Sequence, residues 1–332
     1  MQNGNARTTD TEVAVIVVNY GTAALTIAAV ESVLARDHGG RGVEIHVVDN
    51  ASPGDDAEVL ARAHEDRGWV GRVTLWPETE NHGFGRGNNL ILHHLSERDK
   101  PPVYAFLLNP DAALENEAID ILAAALEANL DAAAAGAGIS FPDGSPAVAC
   151  FRFPTLIREL VTTINFGPLE KLLPSGRTSL PPDWTGPIDW VAGASVLMRL
   201  DHLSEVGFFD PDFFLYYEEV ELMWRLRRAG YRALYVPQAR VTHIAGAATQ
   251  VASHDKRAKP SPAFVYESWR MYYVKSHGRL YALTLAFLKF PAAWISKILS
   301  RMRGDPSILP ARFSRDHWRH VVRPLLLGTP DG

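Results

Sequence analysis

The stretch VYAFLLNPDA, residues 103–112, joins an apolar run to a carboxylate without a spacer. The run at 103–108 carries no charged side chain, which is typical of a strand buried on both faces of a parallel sheet. Asn109, Pro110 and Asp111 follow at once. Because ligands of such sheets collect beyond the carboxyl ends of the strands, this stretch predicts a core strand that delivers Asp111 into a cleft.

The first half of the chain alternates apolar runs with segments of helical composition. Three further runs are predicted to be strands: EVAVIVVN (12–19), VEIHVVD (43–49) and VTLWP (73–77). Helices are predicted between and after these strands at residues 25–35, 59–63, 88–97 and 119–130. Strands without polar alternation that are separated by helices predict an α/β fold, with a Rossmann-like, mainly parallel sheet flanked by helices.

The second half is less regular. Residues 142–187 hold prolines, glycines and short apolar runs, so we predict a variable loop region over the sheet. A helix is expected from about Glu218 to Gly230, a glycine well suited to end it. The segments YRALYVP and ARVTHIAG are predicted to be two short strands.

Composition limits the class of protein. The chain has 332 residues, enough for one large domain or two smaller ones, and 47% hydrophobic with 21% charged residues is ordinary for a globular protein. Cys150 is the single cysteine, which excludes an intramolecular disulfide and fits a reducing compartment such as the cytoplasm. Residues 1–11 are polar, lack the apolar segment of a secretory signal and are expected to be disordered.

Residues 251–332 are predicted to form a basic, helical C-terminal extension. They contain 14 Lys and Arg against 5 Asp and Glu, although the whole chain has a net charge of −5. The stretch LYALTLAFLKFPAAWISKIL (280–299) is nearly long enough to span a bilayer. Its two lysines and its proline favour a helix lying in the membrane interface, hence a peripheral contact at the inner face of the cytoplasmic membrane. A helix packed on the body of the protein is the alternative.

Seven short motifs occur in a fixed order: VVNY (17–20), VVDNAS (47–52), NHGFGRGNN (81–89), LLNPDA (107–112), DWVAGA (189–194), FFLYYEEVEL (213–222) and VTHIAG (241–246). Together they resemble the family 2 inverting glycosyltransferases of GT-A fold, and among these the bacterial rhamnosyltransferases of cell-surface polysaccharide assembly. The resemblance covers roughly residues 12–280. It implies a GT-A catalytic domain at 12–250, with a nucleotide-sugar half at about 12–112 and an acceptor half at about 140–250.

The resemblance implies a divalent metal, Mn²⁺ or Mg²⁺, that neutralises the diphosphate of a nucleotide-sugar donor. The Asp-x-Asp motif of the family is matched by Asn109-Pro110-Asp111, so Asp111 is the expected metal and diphosphate ligand. His243 matches a histidine that binds the same metal in relatives, and an imidazole beside a carboxylate suits manganese. Taken alone, Asp111 could be a turn residue and His243 an ordinary histidine near a strand end.

The resemblance also implies a set of nucleotide-binding residues: Asn19, Tyr20, Asp49, Asn81, Gly83, Arg86, Asn109 and Asp111. Asp49 would accept a hydrogen bond from the base or the ribose. The glycines of NHGFGRGNN would allow close approach of a ligand to the backbone, and they precede a predicted helix whose N–H groups would face that ligand. For Asp49 a turn role is the alternative, and for Arg86 an ordinary surface position.

Inverting transfer needs one base to take the proton of the acceptor hydroxyl. The family's acidic motif is matched by Glu218-Glu219-Val220-Glu221, which makes Glu219 the expected base and Glu218 the alternate. The helix dipole should favour their ionised form at the start of a helix. Glu221 could instead pair with Arg225 one turn later. Trp190 and Gly193 are expected to border the donor sugar and the acceptor, with Glu218 beside them.

The predicted function is therefore metal-dependent, inverting transfer of a sugar to a cell-surface polysaccharide or lipid-linked glycan. For the donor, L-rhamnose from dTDP-rhamnose is the first expectation and a UDP-sugar is the second. The alternative for the function as a whole is a catalytically idle homologue that only binds a nucleotide or a glycan. A sugar nucleotidyltransferase is disfavoured, because its Gly-rich loop with arginine should directly follow the first strand, where Asn19-Tyr20-Gly21-Thr22 stands here. No nucleic-acid partner is expected.

Overall fold

A computed structural model describes residues 11–173, 176, 178–244 and 259–328. The strands are β1 (Val13–Asn19), β2 (Val43–Asp49), β3 (Val73–Pro77), β4 (Tyr104–Leu108), β5 (Ala112–Leu114), β6 (Ala132–Ser140), β7 (Pro146–Ala147), β8 (Cys150–Phe151), β9 (Trp190–Val191), β10 (Ser195–Arg199) and β11 (Arg232–His243). The helices are α1 (Ala23–Leu34), α2 (Asp56–Asp66), α3 (Gly83–Ser96), α4 (Ala118–Glu127), α5 (Leu156–Ile164), α6 (Gly167–Leu172), α7 (Leu200–Val206), α8 (Glu218–Arg228), α9 (Ala263–His277), α10 (Arg279–Arg303), α11 (Phe313–His317) and α12 (Arg323–Leu327). The expected N-terminal disorder falls on residues that lie outside the described ranges, apart from Thr11.

The main sheet has the strand order β3-β2-β1-β4-β10-β6-β11-β5, with β7 paired to β6. Strands β3, β2, β1 and β4 are parallel, as predicted. Beyond β4 the sheet becomes mixed, because β10 runs antiparallel to both β4 and β6. Ser195 at the start of β10 pairs with Leu108 at the end of β4. The segment before β10 therefore lies at the edge where β4 delivers Asn109 and Asp111.

The sheet separates two hydrophobic cores. In β1 the side chains of Val13, Val15 and Val17 belong to one core with α1, α2 and α4, whereas Ala14 and Ile16 belong to the other with α3 and α8. Alternate residues of a strand point to opposite faces, so an unbroken apolar run is what a sheet covered on both sides requires. The α/β class and the layer of helices on each face are thus confirmed.

Two details of the second half differ from expectation. The two short strands predicted after α8 are one strand, β11, with a register shift between Val236 and Arg240. Pro237 cannot donate a backbone hydrogen bond, so the strand bulges there instead of ending. The predicted loop region at 142–187 also contains α5 and α6, so a description as loop alone is wrong.

The C-terminal helices pack on the body of the protein. Trp269 and Tyr272 of α9 and Leu285 of α10 are buried in the same hydrophobic cluster as Leu107 of the central sheet. Within the described residues α10 is the helix long and apolar enough to cross a membrane, and 33% of its apolar window is buried. The packed arrangement expected as the alternative is therefore observed, and one face of α10 remains exposed.

Candidate active site

Asp111 and His243 meet at the carboxyl edge of the sheet. Ala112 of β5 pairs with His243 of β11 in antiparallel register, which brings the neighbouring Asp111 beside the imidazole. His243 Nε2 lies 2.9 Å from Asp111 Oδ1, and Asn109 Nδ2 lies 3.3 Å from the same nitrogen. His243 is more than 130 positions from Asn109 and Asp111 in the chain, so the pairing of β5 with β11 creates the contact.

The Asp111–His243 pair has the chemistry of a partial metal site. Ligands about 2.1 Å from one ion, at right angles, lie about 3 Å apart, which matches the 2.9 Å between the two donor atoms. Carboxylate oxygen and imidazole nitrogen together suit manganese. In the described part of the chain no group of three or more His, Cys, Asp and Glu could hold an ion. The two side chains thus fit two of the ligand positions of a divalent metal.

Asp49 is held at the end of β2 by a network of short hydrogen bonds. Asn19 Nδ2 donates to Asp49 Oδ1 over 2.8 Å, and Ser52 Oγ donates to the same oxygen over 2.6 Å. Both donors hold the Asp49 carboxyl group in one orientation. Ser52 also accepts from the Gly21 backbone N–H, which ties the loops after β1 and β2 together.

Asn19 is a positioning residue in this structure and not a surface contact. Its side chain is 0% exposed, and its Oδ1 accepts from Thr22 and Thr26 while its Nδ2 serves Asp49, Ser52 and Asp56. The amide of Asn19 is thus used in hydrogen bonds within the protein, and its expected contact with the nucleotide stays a prediction. Tyr20, which is 36% exposed, is the residue of the pair that can reach a ligand.

The glycines of NHGFGRGNN serve packing of the protein against itself. Gly83 has φ +73°, and a Cβ there would overlap the backbone carbonyl of Phe214. A Cβ at Gly85 would lie 3.1 Å from Phe209, and one at Gly87 would lie 3.1 Å from Val18. These glycines therefore allow a close approach of α3 to β1 and to the loop before α8, and the expected approach of a ligand to the same backbone stays a prediction.

Asn50 organises the same segment and was missed by sequence reasoning. Its amide donates to Asn81 Oδ1 over 3.1 Å and to the Gly83 carbonyl over 3.0 Å, and its own oxygen accepts from the His82 N–H. Asn81 thereby becomes a link between loops, and Arg86 donates to the His82 carbonyl over 2.8 Å. The only available signal was that Asn50 directly follows Asp49 at a strand end.

The acidic pair begins α8 with its carboxyl groups enclosed. Glu218 is 3% exposed, and among the described residues neither Glu218 Oε2 nor Glu219 Oε2 has a hydrogen-bond partner. Burial raises the pKa of both groups, well above the ordinary value for Glu218, where the Glu219 carboxylate adds repulsion. The expected ionisation by the helix dipole is thus outweighed by the loss of hydration. A carboxyl group with a raised pKa suits a base that works near neutral pH.

The backbone before the pair is strained. Tyr216 and Tyr217 both have φ +69°, a conformation that costs about 1–3 kcal/mol per residue for side chains other than glycine. Glu221, in contrast, is held by Arg225 through two hydrogen bonds of 2.8 and 2.9 Å. Glu221 and Arg225 therefore form the structural ion pair that their spacing of four residues indicated.

Gly193 lies between Glu219 of the acidic pair and Asn109, the neighbour of the Asp111–His243 pair. A Cβ at Gly193 would stand 3.9 Å from the Glu219 Cβ, and the next carbonyl, of Ala194, accepts from the Asn109 N–H over 2.9 Å. The Gly193-Ala194 dipeptide thus lies between Glu219 and Asn109 in the folded protein. Trp190 stacks on Phe151 with ring centroids 4.1 Å apart, and its indole N–H donates to a backbone carbonyl. Its ring face toward Phe151 is therefore already covered.

Comparison with known proteins now identifies the family. A family model described as glycosyl transferase family 2 matches residues 14–157. The chain is 30% identical over 221 residues to the N-acetylglucosaminyl-diphospho-decaprenol L-rhamnosyltransferase of Mycobacterium tuberculosis, which covers 61% of this chain and 67% of that protein. The chain belongs to glycosyltransferase family 2. This glycosyltransferase is also 28% identical over 188 residues to rhamnosyltransferase WbbL of Escherichia coli, covering 55% of the chain and 66% of WbbL.

Solved structures confirm the GT-A type of α/β fold for this family 2 glycosyltransferase. The mannosyltransferase PcManGT of Pyrobaculum calidifontis, in complex with GDP-Man and Mn²⁺, superposes with a TM-score of 0.53 at 17% identity, over 97% of this chain and 84% of that one. S. aureus TarS 1-349 in complex with UDP-GlcNAc superposes with a TM-score of 0.55 at 13% identity, over 96% and 82%. At such identities the likeness concerns the fold alone.

Proposed function

We propose that this glycosyltransferase is metal-dependent and inverting, and that it transfers a sugar from a nucleoside-diphosphate donor to a lipid-linked or polysaccharide acceptor. The observation that carries the proposal is the convergence of Asp111 and His243, 2.9 Å apart, at the edge of the sheet that also presents Asp49. A bound divalent ion would neutralise the charge that develops on the leaving diphosphate. Asp111 and His243 would hold it, and Asp49 would bind the nucleoside.

Glu219 is the proposed base. It is the half-buried member of the acidic pair, next to Gly193, whereas Glu218 is buried. In an inverting reaction Glu219 would accept the proton of the acceptor hydroxyl as that oxygen attacks the anomeric carbon from the face opposite the diphosphate. Glu219→Gln should leave nucleotide binding intact and stop transfer. Near-normal turnover of that variant would move the role to Glu218.

The proposed donor is dTDP-L-rhamnose, with a UDP-sugar as the second candidate. The relatives of Mycobacterium tuberculosis and Escherichia coli are both named as rhamnosyltransferases, and the former name includes a diphospho-decaprenol acceptor. Sugar choice depends on few side chains of a pocket, so a likeness of about 30% supports the donor only as a proposal. The acceptor is proposed to bind the half of the protein at residues 140–250 and the adjoining C-terminal helices.

We assign the exposed face of α10 to the surface of the membrane that carries a lipid-linked acceptor, at its inner, cytoplasmic face. Exposed apolar side chains follow one another along this helix: Leu280, Phe287, Leu288, Trp294, Ile295 and Met302. The helix contains Lys and Arg but no Asp or Glu. A helix with an apolar, Trp-bearing face and basic residues is the type that lies in the interface of anionic bilayers.

The test is a thermal-shift panel with Mn²⁺ and dTDP, UDP, GDP, CDP or ADP. A ligand at a hundredfold its Kd adds about 2.7 kcal/mol of stability, and a Mn²⁺-dependent shift with dTDP or UDP is expected. Asp111→Ala should remove the metal-dependent part. Asp201→Ala is the matched control, since that carboxylate is 77% exposed on the surface. Equal shifts in both variants, or no shift with any nucleotide, would contradict the proposal.

A further inference from the structure

A cavity of about 190 Å³ lies between the C-terminal helices and the loop that precedes the acidic pair. Its wall is formed by aromatic and apolar side chains with a few polar ones: Tyr217, Ser261, Val265, Tyr266, Trp269, Lys289, Pro310, Phe313 and His317. None of these residues belongs to the predicted nucleotide or metal site. The cavity is therefore separate from the Asp111–His243 pair.

The cavity adjoins the reaction centre through Tyr217. This residue lines the cavity and directly precedes Glu218 and Glu219 in the chain. Helix α9 is fixed to the same loop, because Ser268 Oγ donates to the Leu215 carbonyl over 2.9 Å. Phe264 of α9 also stacks on Tyr216, with ring centroids 6.0 Å apart. A ligand in the cavity would thus contact the strained loop that carries the proposed base.

The polar side of the cavity is held in place before any ligand arrives. Lys289 Nζ lies 2.6 Å from Glu159 Oε2 and 5.1 Å from the Trp269 ring centroid, and the Trp269 indole N–H donates to the same carboxylate over 3.2 Å. Burial opposes ionisation of Glu159, yet Lys289 keeps its pKa below the ordinary value. Lys289 Nζ has hydrogen-bond donors left besides the one used by Glu159.

His317 adds an acceptor of fixed identity. Its Nε2 lies 3.0 Å from the Ala286 carbonyl, to which it must donate, so the tautomer assigned from this contact leaves Nδ1 as an acceptor. Burial, and then the nearby Lys289 charge, lower the pKa of His317 to about 4, so the ring is neutral at physiological pH. The cavity wall thus combines aromatic faces with both a donor and an acceptor.

Size and lining together favour one class of ligand. A cavity of about 150 Å³ holds a benzene ring, so about 190 Å³ is enough for one six-membered ring. Aromatic faces pack against the C–H faces of a pyranose, and the few polar groups orient its hydroxyls. We propose that this cavity is a carbohydrate subsite that holds one pyranose ring of the acceptor. This inference rests on the proposed transferase function.

The experiment fills the cavity with a phenylalanine side chain introduced at residues that line it. Ser261→Phe and Val265→Phe place a ring inside it, and Ala263→Phe adds the same ring at an exposed position of the same segment. Binding of the methyl glycosides of glucose, galactose, mannose, rhamnose and N-acetylglucosamine is measured by calorimetry, together with the Mn²⁺-nucleotide thermal shift. At least one glycoside should bind the wild type and the Ala263→Phe control with equal affinity. The same glycoside should bind the Ser261→Phe and Val265→Phe variants at least tenfold more weakly.

Three results would overturn the inference. These are no binding of any glycoside to the wild type, unchanged binding in both filling variants, or a geranyl diphosphate probe that competes for the cavity more strongly than every glycoside. The nucleotide measurement separates this failure from failure of the transferase proposal. If the wild type shows the Mn²⁺-nucleotide thermal shift but binds no glycoside, only the subsite proposal is refuted. If the wild type shows no such thermal shift, the transferase function on which the subsite rests is refuted.

Discussion

Replacing Gly83 by alanine separates a packing role of the glycine-rich segment from a ligand-binding role. At φ +73° an alanine costs about 1–2 kcal/mol in backbone strain. Its Cβ would overlap the Phe214 carbonyl oxygen and stand 2.8 Å from the carbonyl carbon, so α3 and the loop before α8 must move apart. Overpacking of this kind costs about 1–3 kcal/mol. Gly83→Ala should therefore lower the free energy of unfolding by about 2–5 kcal/mol.

The control is Gly144→Ala. Gly144 has φ +80° with nothing within 4 Å of a Cβ, so this variant carries only the strain of about 1–2 kcal/mol. Urea denaturation of both variants measures the difference, which is the cost of the clash. If the two variants lose equal stability, and Gly83→Ala in addition loses Mn²⁺-nucleotide binding, the glycine faces a ligand and our assignment is refuted.

Three further predictions concern buried charge and the exposed helix. Glu218→Gln should become increasingly more stable than wild type as pH rises above the ordinary carboxyl range, because a raised native pKa makes the wild type lose stability with rising pH; urea titrations at pH 5 to 9 check this. Lys289→Met should cost about 3–5 kcal/mol by stranding the Glu159 charge, and adding Glu159→Gln should restore most of it in thermal unfolding. Trp294→Glu should weaken co-sedimentation with anionic vesicles at least tenfold, whereas Leu130→Glu, equally on the surface, should not.

The sequence predicted the elements that depend on local pattern. Apolar runs without alternation indicated strands covered on both faces, and β1 and β4 are such strands. Asp111 was placed at a strand end, and the pairing of Glu221 with Arg225 followed from helical spacing. These predictions succeeded because each rests on residues within a few positions of one another.

The outcome was different where contacts join distant parts of the chain. The antiparallel insertion of β10 depends on its docking beside β4 and carries no local signal. Only the packed molecule shows that Phe214, Phe209 and Val18 lie against the glycines of residues 81–89. The five hydrogen-bond partners of Asn19 likewise come from two other segments of the chain, residues 22–26 and 49–56, which meet only in the folded protein.

Sequence alone thus determined the family, the strand that delivers Asp111 and the order of the acidic motif, since side-chain type and short-range periodicity are written directly in the chain. Tertiary structure decided the ionisation of that motif. Helix position predicts charged carboxylates, but the free energy of ionisation depends on hydration, which packing removes from Glu218 and Glu219. The cavity beside Tyr217 was likewise invisible in sequence, because helices α9 to α11 enclose it only after they dock on the body of the protein.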